Sequence, residues 1–293
     1  MIFILSQIVF ASLFGLCIKW VGNRERKDII TVGMINYIVA AIVSLPELAN
    51  LPTDQIAVAG VATGATMGVA YFIAYFFCVY ATKWIGVASS TVVSILSICV
   101  PIFFGVFIWH EDPNPFQWLG IILALLSLSL IGRKGDAVKQ GTVPDKPWFT
   151  PWVVFGFFVL CGVSRLAQES FKHLCDESQR PVYLTSAFAI AAIPSIVVLF
   201  YRGKKVSWNE LWMGVGLGLT NILQTHFILK ALQRFDGFIV FPITSAGSLM
   251  FVTLVRPDSW AKSWDVQLTL ELPSPAWRWC CSTGYRNHNG NIS

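Results

Sequence analysis

Apolar residues run along this chain in long blocks, and polar residues gather in short breaks between them. A helix needs about 20 mostly apolar residues to cross a bilayer. Nine blocks reach or approach that length, at 2–21, 29–46, 57–81, 87–109, 116–132, 150–170, 181–201, 210–230 and 236–255. The breaks are short and polar, as in Gly-Asn-Arg-Glu-Arg-Lys-Asp at 22–28. The longest, 132–148, is rich in Gly, Pro and Lys; it reads as a linker dividing the nine predicted helices into five and four. Eight tryptophans precede residue 256: Trp20, Trp84, Trp109, Trp118, Trp148, Trp152, Trp208 and Trp212. Each falls at or near a predicted helix end, as an aromatic belt at the headgroups requires. The first block lacks a basic n-region and a small-x-small cleavage site, so it reads as a spanning helix and not as a signal peptide.

Composition sharpens this picture. Of 293 residues, 55% are hydrophobic and 13% are charged, and mean hydropathy is +0.63. Soluble domains carry roughly 25% charged residues. Half that share cannot solvate a globule of this size, and it excludes a disordered chain, a collagen-like repeat, a disulfide scaffold and a DNA-binding module. The expectation is an all-α, multi-pass protein of the cell membrane, the inner membrane of a bacterium, with the lipid bilayer and no nucleic acid as partner. The net charge of +5 then belongs to loops that set orientation. Cys17, Cys78, Cys99 and Cys161 lie inside apolar runs and read as small core residues.

An internal repeat refines the fold class. At an offset of 150, Leu16 meets Leu166, Gly64 meets Gly214, Gly68 meets Gly218, Phe77 meets Phe227 and Ala81 meets Ala231. At 151, Ala40-Ala41-Ile42 meets Ala191-Ala192-Ile193, and Ser44 meets Ser195. A nearly constant offset across several helices points to tandem duplication of a five-helix unit. Five is odd, so the second copy enters the membrane from the opposite side, giving an inverted repeat of the kind many secondary transporters use. The expected organisation is a first repeat at 1–132, a linker at 133–149, a four-helix second repeat at 150–255 and a tail at 256–293.

The stretch GVASSTVVSILSICVPIFFGVFIWHEDPNPFQWLGIILALLSLSLIG at 86–132 resembles the EamA-type repeat of the drug/metabolite transporter superfamily. Small residues open its first helix, Pro101 sits within it, Glu111 ends it, and Gln117-Trp118-Leu119-Gly120 starts the next. The resemblance extends over 1–255. It implies a ten-helix carrier with a central cavity, working by alternating access. This chain departs from the pattern in having no tenth helix. Loop charge gives eleven Lys and Arg on one side, from Arg24 to Lys205, against Lys172, Arg180, Lys230 and Arg234 on the other. That count places the N-terminus outside, whereas the resemblance implies a cytoplasmic one.

Polar side chains inside a membrane are functional candidates. Asn221, Gln224 and Thr225 share a helix face by their i, i+3, i+4 spacing, and Tyr71 and Tyr75 stand at the repeat-equivalents of Asn221 and Thr225. These five, with Asn36, could line a midplane substrate site; interhelical hydrogen bonding is the other reading. Lys19, Arg165, Glu169 and His226 are gate or proton-relay candidates, or else interfacial anchors and packing residues. Arg165 and Glu169 are four apart and able to pair. Gly64-x-x-x-Gly68 and Gly214-x-x-x-Gly218 read as helix-packing motifs. Pro101, Pro194 and Pro242 are expected to bend their helices.

The sequence carries none of the H-E-x-x-H, G-x-S-x-G or phosphate-loop motifs, and its four histidines have no ligand spacing. No cofactor and no metal are expected, and a coupling proton or other ion, or a substrate gradient, would drive transport. The expected function is secondary transport or export of small organic metabolites or drugs. A facilitative channel or structural subunit is the alternative, and a lipid-modifying membrane enzyme a more distant one. The neutral, aromatic-rich interior suits amino-acid-like or amphipathic molecules better than polyphosphates.

The tail holds four of the twelve tryptophans, three prolines and Cys280-Cys281, with no spanning run. Codons for Ser259-Trp260-Ala261-Lys262 can spell Leu-Gly-Glu in another frame, placing Glu in register with Glu111. A frameshift near Val255 or Arg256 is therefore expected, leaving an irregular tail, with a divergent natural tail as the alternative; with a frameshift the coding DNA would show an apolar run of about 20 residues in the shifted frame.

Overall fold

A computed structural model describes residues 1–22, 28–52, 56–111, 114–115, 118–119, 122, 148–203 and 205–255. The chain divides into two compact units, 1–252 and 253–293, and of the second only 253–255 are described. The expected helix at 116–132 (apart from Trp118, Leu119 and Ile122), nearly all of the linker, most of the 22–28 loop and the frameshift-suspect tail lie outside the described residues.

Every regular element among the described residues is helical: α1 (Ile2–Gly22), α2 (Ile29–Ala49), α3 (Val58–Leu96), α4 (Cys99–Phe107), α5 (Thr150–Leu174), α6 (Arg180–Arg202), α7 (Trp208–Leu232) and α8 (Gly237–Val255), with a 3₁₀ turn at Glu177–Gln179 before α6. Local chemistry sets the ends. Asp28 caps α2 by accepting from Ile30 N at 3.1 Å. Ser207 and Glu210 form a reciprocal capping box on α7. Pro151 and Pro181 occupy first turns, where no N–H is needed. Gly203 ends α6 at φ +55, a left-handed conformation that glycine adopts without strain.

Among the described residues, five segments are long and apolar enough to cross a membrane: Ile29–Ala49, Val58–Ile85, Ser89–Phe107, Thr150–Leu174 and Glu177–Arg202. Ile2–Ile18 and Gly237–Val252 are shorter apolar helices. The 25-residue α7 is not among the five; it carries Asn221, Gln224, Thr225 and His226.

The expected helices at 57–81 and 87–109 are joined in one helical run of 39 residues, which drawn straight would be about 58 Å long. Its contacts exclude a straight rod. Met67 meets Gln168 and Phe77 lies on Gly156, so this part runs antiparallel to α5. Beyond it, Ser94 meets Arg165, Val100 lies on Gly162 and Glu111 meets Lys172, so the chain returns parallel to α5. The run therefore reverses between Phe77 and Ser94, and two spans result. A break at Ser97-Ile98 then separates α3 from α4 and puts Pro101 in the first turns of α4, where proline's missing N–H costs least.

Packing is mostly between the two halves of the chain. α1 lies on α7, α2 on α6 and α7, and α3 on α5 and α6. The small-xxx-small motifs make the closest approaches. A Cβ at Gly64 or Gly68 would collide with the Tyr183 or Ala187 carbonyl of α6. One at Gly214 would strike Ile35 and come against the Val32 carbonyl, and one at Gly218 would strike the Asn36 carbonyl of α2. Moved by 151, Val32 and Asn36 become Tyr183 and Ala187, so both motifs dock on corresponding turns. Met34, Tyr37 and Ala40 of α2 and Tyr183, Leu184, Phe188 and Ala191 of α6 are buried in one core. Ile42, Val43 and Leu45 of α2 and Ile193, Ile196 and Val197 of α6 are exposed, as residues facing lipid should be. Trp148, Trp152, Trp208 and Trp212 are exposed near helix starts, in keeping with the expected belt.

Candidate functional site

Two polar regions lie inside the bundle. The central one joins α2, α3, α5 and α7. Asn221 Nδ2 donates to Asn36 Oδ1 at 3.1 Å, and Gln224 Nε2 donates to Asn221 Oδ1 at 3.0 Å. Thr225 Oγ1 donates to the Asn221 carbonyl at 2.9 Å and lies beside the Tyr71 phenol. Gln168 Nε2 donates to Tyr71 Oη at 3.3 Å and reaches Met67 Sδ. Tyr37 Oη donates to the Tyr71 carbonyl at 2.8 Å. Gly218 allows this, because its missing side chain brings the Asn36 backbone against α7. Asn36, Asn221 and Thr225 are buried, so in this conformation they satisfy one another. The buried Gln168 Oε1 has no hydrogen-bond partner among the described residues.

The second region lies one turn further along α5, at its C-terminal end, and is charged. Lys172 Nζ is 2.7 Å from Asp236 Oδ1, 3.2 Å from Glu111 Oε1 and 3.8 Å from Glu169 Oε1. His173 Nε2 is 3.3 Å from the same Glu111 oxygen and 3.6 Å from the same Glu169 oxygen. Trp109 stacks on the His173 ring at 4.4 Å and fixes its plane. Glu169 and His173 share a face of α5 by their i, i+4 spacing. The chain after α4 delivers Glu111, whose N–H bonds the Gly105 carbonyl at 3.0 Å. Asp236 stands just before α8. Glu169 is 1% exposed, and its carboxylate meets the backbone N–H of Gly237 at the start of α8. Its carboxylate lies against Gly237, where a Cβ would collide with it.

The expected site residues separate accordingly. Asn36, Asn221, Gln224, Thr225 and Tyr71 come together. Tyr75 does not join them: its hydroxyl donates to the Ile29 carbonyl at 2.5 Å, and its ring fills the space left by Gly33. His226 faces away, 3.9 Å from Glu47 of α2 and edge-on to Phe227. Arg165 and Glu169 take different partners. Arg165 donates to the Ser94 carbonyl and the Ser97 hydroxyl, while Glu169 joins Lys172 and His173. Burial of Glu169 also departs from the interfacial-anchor reading. The Lys19 side chain lies outside what is described. Sequence reasoning gave no site role to Gln168, Lys172, His173 or Asp236. The i, i+4 pair Glu169/His173 was a usable signal; Asp236 and the approach of Glu111 had none.

At the opposite end, Arg202 pairs with Asp28 at 2.9 Å, and Asp28 N donates to Glu210 Oε1 at 3.1 Å. Between α3 and α5, an apolar groove of about 700 Å³ is lined by Ile85, Val93, Leu96, Pro151 and Phe155 among others.

Residues 1–133 match the EamA-like transporter family. An uncharacterised protein of Haemophilus influenzae is 25% identical over 160 residues, 54% of this chain and 52% of its own length. The chain thus aligns with about half of that curated relative. A protein of known crystal structure, 16% identical, superposes with a TM-score of 0.61 over 96% of this chain and 92% of its own, and so shares the fold. With its membrane-spanning helices, and with the match over residues 1–133, the chain is a multi-pass membrane protein similar to the EamA-like transporters.

Proposed function

We propose that this chain is a secondary carrier that moves small, neutral or amphipathic organic metabolites by alternating access. Its two halves, 1–132 and 150–255, act as inverted repeats that rock about the α2–α6 contact. The observation that carries this reading is the reciprocal packing. Gly64 and Gly68 seat α3 on α6 as Gly214 and Gly218 seat α7 on α2, and α1–α7 contact is mirrored by α5–α3 contact. Under such exchange a two-fold axis in the membrane plane passes near the α2–α6 contact, where Thr185 Oγ1 donates to the Ser44 carbonyl at 3.1 Å.

The central amides lie beside that axis. Asn36, Asn221 and Gln224 carry donors and acceptors that satisfy each other when the halves are closed, and Gln168 donates to Tyr71. Parting the halves frees them for a polar substrate group, at a cost near 0.6 kcal/mol per interhelical bond. A carrier needs such shallow wells, because the same groups must bind and release. The charged clusters at the two ends are then the mouths.

Concentrative uptake into proteoliposomes, run over a panel of radiolabelled neutral amino acids and amphipathic cations, separates a coupled carrier from a channel. The double variant Asn221→Leu/Gln224→Leu is expected to fold and to lose uptake. Normal uptake by the folded double variant would overturn the site assignment.

A further inference from the structure

The charged cluster at the end of α5 has an imbalance that nothing above uses. Glu111, Glu169 and Asp236 surround one ammonium, Lys172, which lies closest to Asp236. Counted as formal charges, the carboxylates outnumber the ammonium by two. The most deeply buried of these groups, Glu169, is met only by the Gly237 N–H and by the shared Lys172 among the described residues, and it directs one oxygen at His173 Nε2. A sealed carboxylate so sparsely satisfied is costly unless a further cation meets it.

We propose that Glu111, Glu169 and His173 form a binding site for a divalent transition-metal ion of the Zn²⁺ class. One ligand atom from each lies within 4.8 Å of the other two, which small side-chain rotations convert to ligation distances of about 2.0–2.2 Å. Two carboxylates and one imidazole are a borderline set: they suit Zn²⁺, Co²⁺ or Mn²⁺ and not Mg²⁺ or Ca²⁺, which take oxygen ligands. Metal ligation needs the imidazole neutral and its ring fixed, and stacking on Trp109 fixes it. Lys172 does not block the site. Its shortest contact is to Asp236, so an arriving ion displaces the ammonium only from its longer contacts with Glu111 and Glu169. The ion neutralises the two surplus charges and staples the end of α4 to α5, locking this end of the bundle.

The test uses the full chain, purified without a histidine tag and stripped with EDTA. Zn²⁺ binding is followed by calorimetry and thermal unfolding, with Mg²⁺ as control and Co²⁺ as a spectroscopic probe. One Zn²⁺ per chain is expected, with a raised unfolding temperature and Co²⁺ ligand-field bands. His173→Ala and Glu169→Gln should each weaken Zn²⁺ at least as much as the roughly 10–100-fold lost with an outer-shell partner. Failure to bind Zn²⁺ overturns the proposal, as do equal binding by folded His173→Ala, binding carried by the tail cysteines, or Mg²⁺ acting as well as Zn²⁺. These readouts need no transport, so the metal site stands or falls apart from the carrier reading.

Discussion

Glu210 and Glu169 are both buried, 2% and 1% exposed, at opposite ends of the bundle, and their surroundings differ in kind. Glu210 accepts from Asp28 N at 3.1 Å with one oxygen and from Ser207 N at 2.9 Å with the other. It sits at a helix N-terminus, where exposed N–H groups and the helix dipole favour negative charge. Glu169 lies near the C-terminal end of α5, meets a single backbone N–H, that of Gly237 at the start of α8, and shares Lys172 with Glu111 and Asp236. One carboxylate is fully engaged by a helix start. The other keeps an oxygen directed at His173, and it remains available to an incoming cation. A buried charge therefore reads as structural or as functional according to what satisfies it, not according to how deeply it lies.

The strongest way to break the contrast is to remove the ammonium. Lys172→Met leaves Glu111, Glu169 and Asp236 facing one another, and the metal-free protein should lose about 3 kcal/mol, the lower end of the range because Asp236 is half exposed. Thermal unfolding after EDTA treatment measures this, and added Zn²⁺ should restore part of the loss.

A gentler pair sharpens it. Glu210→Gln turns an NH₂ toward a backbone N–H and should cost about 1.5 kcal/mol. Glu169→Gln keeps an acceptor for the Gly237 N–H and leaves Lys172 its other carboxylates, so it should change stability by less than about 0.5 kcal/mol. Equal losses in chemical denaturation would erase the distinction between the two glutamates.

The smallest effect is expected at His226→Ala. The 3.9 Å contact with the half-exposed Glu47 is worth less than about 0.5 kcal/mol. Uptake by this variant should keep the wild-type pH profile, since His226 stands apart from both polar regions; a shifted profile would restore its relay role.

The two regions were unequally legible in the sequence. Asn221, Gln224 and Thr225 lie within one helix, so their shared face follows from spacing alone, and the repeat offset pointed to Tyr71. Tyr75 failed the same reasoning because the offset maps positions, not rotamers, and its ring went to the gap at Gly33. The Ser207-x-x-Glu210 spacing is a capping signal visible in the sequence. The end cluster had no such local signature: Lys172 and Glu111 are 61 positions apart, joined only because the chain reverses along α5.

The sequence by itself determined what depends on short range and composition: the apolar runs that must be helices in lipid, the tryptophans near their ends, and the glycines spaced for close approach. Each follows because a bilayer forces every backbone group to be satisfied within its own segment, so length and pattern suffice. Only the tertiary structure decided which buried polar groups satisfy one another. That depends on where Phe77 to Ser94 turns the chain back and on which helix each glycine admits, and both are settled by packing between the two halves.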